Sequence, residues 1–244
     1  MNSLLKLIKE SPLSYLPRES LRSLAHFREG YRSRCNMEGA PYEWQYDHWE
    51  FRAWLCRHFQ MSSEASIHDI GIIELFSTSE ADAFHRHFAL LAEFLSTADG
   101  AKEEGAMSLV DSKIERRDFA EMAKAIRHCP AMYLGSASFL GFSSYLMGDE
   151  RAQLDLGFAV DEGRAIFRDF QKWVEIEQNN FKLHRPWFKI IEFWSAGSDC
   201  GHTSSGAYTL FFKWLDRYTE QIGKPGLFGP IPPTAAGPIS RQIH

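Results

Sequence analysis

Cysteine is scarce in this chain, and its four cysteines show no pairing pattern. Cys35, Cys56, Cys129 and Cys200 lie far apart, with no Cys-x-x-Cys spacing among them. That spacing marks zinc and redox sites, and disulfide frameworks belong mainly to short secreted chains. The first ten residues carry two lysines among their leucines, which makes them too polar for the core of a signal peptide. We therefore expect reduced thiols and a cytoplasmic location.

Long apolar runs and an excess of basic residues are also missing. No run approaches the roughly 20 apolar residues of a membrane-spanning helix, so no membrane association is expected. Lys and Arg number 27 against 32 Asp and Glu, giving a net charge of −5. Nucleic-acid binding requires a clustered basic surface, so it is not expected either. The chain also lacks a P-loop, a dinucleotide fingerprint and a Gly-x-Ser-x-Gly elbow, and no cofactor is predicted.

What the chain does contain is a duplication. Its two halves match in the same order at a nearly constant interval, and a fixed internal period is typical of a repeated fold. Four segments match, two at an offset of 118 residues, one at 119 and, after a six-residue insertion, one at 124. The matched segments are Pro12–Leu16 with Pro130–Leu134, Ile72–Ser77 with Ile190–Ser195, Phe51–Leu55 with Phe170–Val174, and Ala83–Phe94 with Ala207–Tyr218.

The apolar residues of each half recur with the period of a helix. Leu21, Leu24 and Phe27 share one helical face, and Phe84 and Phe88 belong to another such stripe. We predict an all-α protein of two tandem repeats of about 100 residues each, packed with pseudo-twofold symmetry. The predicted parts are repeat one at 1–97, a linker at 98–117, repeat two at 118–222 and a tail rich in Pro and Gly at 223–244.

Two local patterns add detail to this prediction. Residues 153–160 alternate polar and apolar side chains, which favours a short β element. The run Ser77-Thr-Ser-Glu80 fits a capping box that opens a helix reaching about Ser96. In the first repeat, a long helix is predicted from Tyr42 to Gln60.

One motif of this chain resembles the first motif of a known group of proteins. It is the segment Cys129-Pro-Ala-Met-Tyr133-Leu134-Gly135, followed by Tyr145-Leu-Met-Gly148. Helical bacterial proteins of unassigned function carry a similar "RPGMYLG" stretch, and such proteins look like immunity proteins. The resemblance implies a non-catalytic inhibitor that occludes a cognate toxin. The stretch is also similar to "RPGMYIG" in the ATP-binding domain of type II topoisomerases, but the ATP motifs of that domain are absent. Its repeat partner Pro12–Leu16 favours a structural connector.

A duplicated chain is most informative where its copies differ. The first repeat carries a line of mostly aromatic residues with helical spacing, and the second repeat is mostly charged at the matching positions. The line consists of Tyr42, Tyr46, Trp49, Ala53 and Cys56, against Asp161, Ala165, Arg168, Lys172 and Glu175. Either internal packing or a partner covers this face, and Tyr and Trp are enriched at binding hot spots. The predicted partner-binding residues are Tyr42, Glu43, Tyr46, Asp47, Trp49 and Glu50.

The loop around Asp199 and His202 has no counterpart in the first repeat, so both residues join the predicted partner-binding set. The expected partner is a protein, for example a basic toxin domain that complements the net negative charge. One alternative is a homodimer through the aromatic face. Another is an enzyme at the repeat junction, built from Glu74, Glu192 or the Asp199–His202 loop. His85 and His87 point apart on a helix, and no metal site is predicted.

Overall fold

The computed structural model describes residues 3–40, 42, 48–62, 67–97, 118–177, 185–196 and 204–229. Within these residues the regular structure is helical and contains no strand, so the predicted all-α class is confirmed. None of the described helices combines the length and apolarity needed to cross a bilayer. The helices are α1 (Ser3–Glu10), α2 (Leu21–Met37), α3 (His48–His58), α4 (Asp69–Leu75), α5 (Glu80–Ser96), α6 (Phe119–His128), α7 (Pro130–Leu134), α8 (Phe139–Leu156), α9 (Glu162–Glu177), α10 (Trp187–Ala196) and α11 (Ser204–Gln221).

The chain forms two compact units. The first unit is Met1–Arg116 with Leu140–Phe158, and the second is Arg117–Phe139 with Ala159–His244. The sequence offset assigns residues 140–158 to repeat two, whereas they pack in the first unit. The predicted linker 98–117 lies outside the described residues. Of the predicted tail, the structure describes the first part, where Phe228 is buried against the ring of Phe119.

Helix α2 crosses α8 inside the first unit at a pair of glycines. A Cβ atom on Gly30 would overlap the backbone carbonyl of Tyr145, and one on Gly148 would overlap the carbonyl of Phe27. Both pairs are 118 residues apart, Gly30 from Gly148 and Phe27 from Tyr145, so each helix offers the same two positions to the other. Only glycine permits backbones to approach this closely.

A buried ion pair lies beside this crossing, between a residue one turn after Gly30 on α2 and the residue that follows Gly148 on α8. Nε of Arg34 on α2 donates to Oδ1 of Asp149 on α8 at 2.8 Å, and Nη2 lies 3.4 Å from Oδ2. The side chains are 3% and 0% exposed. Nη1 of Arg34 also lies 3.4 Å from a carboxylate oxygen of Glu38. Helices α2 and α8 are therefore joined by close backbone packing and by a charge pair shielded from water.

The β element predicted near 153–160 is wrong, because α8 continues to Leu156. Gly157 adopts a positive φ of 67° and ends the helix. The N–H of Phe158 donates to the carbonyl of Gln153, and the N–H of Gly157 donates to that of Leu154, which is a Schellman ending. The alternation of polar and apolar residues that predicted a strand therefore begins in the last turn of a helix, α8.

Other boundaries differ by local chemistry. Helix α3 begins at His48, and Tyr42 is not helical, so the predicted helix from Tyr42 is too long at its start. Helix α5 is capped two residues further on than Ser77: the hydroxyl of Ser79 accepts from the N–H of Asp82, and the carboxylate of Asp82 accepts from the N–H of Thr78. The pseudo-twofold arrangement of the halves stays a prediction.

Candidate functional site

The predicted aromatic line divides into exposed and buried members. Trp49 is 74% exposed, whereas Cys56 is 2% exposed and belongs to the core of the first unit. Tyr42 is half-buried, and its ring centroid lies 6.2 Å from that of Tyr31 on α2. Glu50 and Ala53 are half-buried. The remaining predicted partner-binding residues lie outside the described part of the chain: Glu43, Tyr46, Asp47, Asp199 and His202.

Trp49 lies on α3, close to the point where α3 contacts α4. One turn after it, Nε of Arg52 donates to the backbone carbonyl of Ile67 at 2.8 Å, just before α4. The side chain of Ile67 is itself 38% exposed. Residues three apart on a helix are neighbours on its surface, so Trp49, Arg52 and Ile67 form one continuous surface, which we call the Trp49 face.

A cluster of titratable residues lies next to the Trp49 face. Nδ1 of His48, at the start of α3, lies 3.1 Å from Oδ2 of Asp69, at the start of α4. It also lies 3.3 Å from Nη1 of Arg28 on α2. The fourth member is His87 on α5, whose pKa responds to the charges of the other three. We call Arg28, His48, Asp69 and His87 the polar cluster.

The electrostatics of the polar cluster have identifiable causes. Burial by itself raises the pKa of Asp69, but the hydrogen bond from His48 and the positive charges of His48 and Arg28 outweigh it, so that the pKa is lowered to about 2. Burial lowers the pKa of His87 to about 3, although the negative charge of Asp69 opposes that effect. At neutral pH the cluster therefore contains an ionised carboxylate and a neutral buried imidazole.

The second unit holds aromatic side chains at the corresponding positions. When the halves are aligned at the predicted offsets of 119, 118 and 124 residues, Phe167 corresponds to His48, Trp187 to Asp69 and Phe211 to His87. These three rings pack against one another with centroids 5.6, 5.8 and 6.1 Å apart. The helices of the second unit therefore pack together with aromatic rings at positions 167, 187 and 211. Because buried polar groups cost free energy that apolar packing avoids, the polar cluster is a candidate functional site.

The partner-binding prediction did not include the polar cluster. Its residues lie on four helices and are up to 59 residues apart in sequence, from Arg28 to His87, so no local motif joins them. The alignment of the two halves did contain one signal for this cluster. His48, Asp69 and His87 of the first half align with Phe167, Trp187 and Phe211 of the second. That substitution pattern marks positions where polarity is not required by the fold.

The carboxylates proposed for the alternative enzyme are engaged within their own units. Both carboxylate oxygens of Glu74 accept from the guanidinium of Arg22 at 2.8 Å, and Glu192 accepts from Lys189 at 2.9 Å. Among the described residues there is no group of His, Cys, Asp or Glu arranged to hold a metal ion. His85 lies 2.6 Å from Glu19 and is largely exposed, whereas His87 is buried, so the two histidines do point apart.

Replacing His87 by phenylalanine, the residue at the matching position 211, should make the protein more resistant to acid. Its folded pKa of about 3 lies below the ordinary value of 6.5, so between these pH values only the unfolded chain takes up the proton. The stability associated with this group is complete above pH 6.5 and declines as the pH falls towards 3. By pH 4 the wild type should have lost about 3 kcal/mol relative to His87→Phe.

Urea unfolding at pH 7 and pH 4 measures this difference, and other titrating groups cancel because both proteins share them. His85→Phe is the matched control, since that exposed histidine is on the same helix. The expectation fails if the wild type and His87→Phe lose stability in parallel.

Comparison of the chain with protein-family models, with curated proteins and with solved structures finds no match in any of the three.

Proposed function

We propose that this protein acts by binding a protein partner through the Trp49 face. The observation that carries the proposal is the exposure of Trp49, 74%, beside the Arg52–Ile67 hydrogen bond between α3 and the start of α4. Tryptophan is the residue most often found as a binding hot spot, and a large exposed aromatic side chain is costly to leave in water. The matching position in the second half is Arg168, so the feature belongs to one copy alone.

The partner's chemistry is inferred from charge. The protein carries a net charge of −5, and Glu50 follows Trp49 directly. A net negative charge attracts a basic protein and accelerates its association. Together with the resemblance of Cys129–Gly135 to an immunity-protein opening, this supports an inhibitor that acts in the cytoplasm and occludes a basic toxin domain.

Replacing Trp49 by alanine should weaken partner binding and leave the fold intact. Removal of a hot-spot tryptophan raises the Kd about 30-fold or more, whereas an exposed substitution usually changes stability by less than about 0.5 kcal/mol. Calorimetric titration with the purified product of the neighbouring gene, alongside thermal melting, measures both quantities.

Two further variants give this test its controls. Ile176→Ala removes a side chain that is also 74% exposed but lies on α9, and it should leave the Kd unchanged. Trp54→Ala removes a buried tryptophan and should cost about 3–5 kcal/mol of stability. The proposal is wrong if Trp49→Ala binds as well as the wild type, or if the protein forms a homodimer that Trp49→Ala dissociates.

A further inference from the structure

Apart from the Trp49 face, we propose that the second unit carries a peptide-binding groove, lined by Phe119 and Arg127 of α6 and by Glu162 of α9. The protein's own C-terminal segment occupies this groove. We call that segment, residues 222–229 after α11, the strap. The partner of the groove is a protein segment with a lysine, a Pro-Gly turn and then a Phe-Gly pair, as in the strap itself. The strap is therefore an autoinhibitory contact, which the partner replaces.

The strap inserts one aromatic ring into the second unit and presents its backbone to a buried arginine. Phe228 is 1% exposed, and its ring meets the ring of Phe119 edge-on, with the centroids 6.1 Å apart. Nη1 of Arg127 lies 3.3 Å from the carbonyl oxygen of Phe228 and also donates to that of Gly229. Because every residue has a main-chain carbonyl, the aromatic ring and the backbone conformation decide which segment fits here.

Arg127 is held in place for this contact. Its side chain is 2% exposed, and Nη1 and Nη2 also donate to the two carboxylate oxygens of Asp216 on α11, at 2.8 and 2.6 Å. Nε is buried and has no hydrogen-bond partner in the part of the chain that the structure describes, which costs free energy. A planar donor fixed in this way is preorganised to recognise the carbonyl oxygens of a peptide.

The first half of the chain lacks this arrangement. When the halves are aligned at the predicted offsets of 118 and 124 residues, Arg127 corresponds to Lys9 and Asp216 to Ala92, and both of these residues are exposed. Helices α1 and α5 of the first unit therefore fold without a buried arginine at these positions. We infer that the Arg127–Asp216 pair serves the recognition of the strap rather than the packing of the helices.

The strap has a shape of its own. Pro225 and Gly226 are the central residues of a turn in which the N–H of Leu227 donates to the carbonyl of Lys224 at 3.4 Å, and Gly226 has a φ of 72°. Proline followed by a glycine of positive φ is typical of a type II turn. The side chain of Lys224 pairs with the carboxylate of Glu162. A segment shaped by its own residues can bind in the same way when it comes from another chain.

The strap is attached weakly enough to be displaced. Among its residues, all of which the structure describes, Phe228 alone is buried, whereas Ile222, Gly223, Pro225 and Gly226 are exposed. Segments with few buried apolar contacts open locally at a free energy well below that of global unfolding. A partner that binds the open form competes with the strap, so its apparent Kd is the intrinsic Kd divided by the open fraction. The strap therefore sets the affinity of the groove.

The probe is a fluorescent, amidated peptide with the strap sequence, Ile-Gly-Lys-Pro-Gly-Leu-Phe-Gly, and its anisotropy measures the Kd for the full chain. Phe228→Ala releases the strap and leaves the groove residues in place, so it should bind the peptide at least tenfold more tightly than the wild type. Adding Arg127→Met to Phe228→Ala should raise the Kd at least tenfold. A second peptide that keeps only the Lys-Pro-Gly-x-Phe-Gly pattern should bind like the first. Alanine in place of phenylalanine in either peptide should weaken binding at least tenfold.

A surface variant decides the matter if Phe228→Ala folds poorly. Lys224→Glu places like charges opposite Glu162, whose side chain is exposed, and should lower the peptide's Kd about two- to fivefold. Its matched control, Ile222→Ala, changes an exposed strap residue and should leave the Kd unchanged. The proposal is overturned if neither Phe228→Ala nor Lys224→Glu binds the peptide more tightly than the wild type, or if the peptide with alanine binds equally well. A wild-type dimer that Phe228→Ala dissociates also overturns it, because the groove would then take the strap of a second copy.

Discussion

Replacing Gly148 by alanine is expected to destabilise the first unit by about 2 kcal/mol or more. The new methyl group would overlap the backbone carbonyl of Phe27, and a backbone atom cannot rotate away as the end of a side chain does. Overpacking costs typically ~1–3 kcal/mol and more where the backbone must move. The better helix propensity of alanine returns only about 1 kcal/mol. Chemical unfolding with a fluorescence readout measures the difference.

The reciprocal contact gives this prediction an internal check. Gly30→Ala should cost a similar amount, because Gly30 meets the carbonyl of Tyr145 in the same way. The double variant should cost less than the sum of the two, because the helix separation that admits one methyl group also admits the other. Gly141→Ala, also on α8, is the control, since the nearest atoms to its methyl group would belong to the side-chain ring of His26 and not to a backbone. If Gly148→Ala is as stable as the wild type, α2 and α8 do not cross at these glycines.

Replacing Asp149 by asparagine is expected to cost about 3–5 kcal/mol. The change leaves the guanidinium of Arg34 inside the protein without its carboxylate, and that side chain is 3% exposed. Glu38 compensates little, because it lies 3.4 Å away and is itself more exposed. The midpoint of urea unfolding should fall accordingly, while the secondary structure measured by circular dichroism at low urea is retained.

Two further variants separate the charge from the packing. Glu38→Gln should cost less than about 1 kcal/mol, as expected of a partly exposed ion pair. The double variant Arg34→Met with Asp149→Leu should recover most of the stability lost in Asp149→Asn, because apolar residues of similar volume replace a buried pair without penalty. A double variant as unstable as Asp149→Asn would show that shape, and not the unpaired charge, accounts for the loss.

The sequence predicted the helices well because their signals are local. The apolar stripe that contains Phe84 and Phe88 identifies α5, and both residues are fully buried. The end of α8 was misread because a regular alternation over one turn looks the same in a strand and in a helix. Only the positive φ of Gly157 and its hydrogen bonds distinguish the two.

The tertiary contacts were not predictable in the same way. Gly30 and Gly148 are visible in the sequence as a matched pair, but a glycine in a helix has several explanations, and only the contact with the opposite backbone identifies this one. His48 and Asp69 are separated by 21 residues, and no periodic pattern relates two residues on different helices. Trp49 was predicted to bind a partner because the two halves differ at its position. The same comparison, applied to every polar residue of the first half, would have identified His48, Asp69 and His87 of the polar cluster.

The placement of α8 has a consequence for the order in which the protein is made. Residues 140–158 complete the first unit, yet the ribosome synthesises them after α6 and α7, which belong to the second. Until α8 emerges, Arg34 has no Asp149, and the glycine face of α2 has no opposing helix. The N-terminal half therefore cannot finish folding as soon as it is synthesised, unlike a chain in which domains fold one after another. During translation this surface of α2 is left uncovered and is therefore open to wrong contacts and to chaperones.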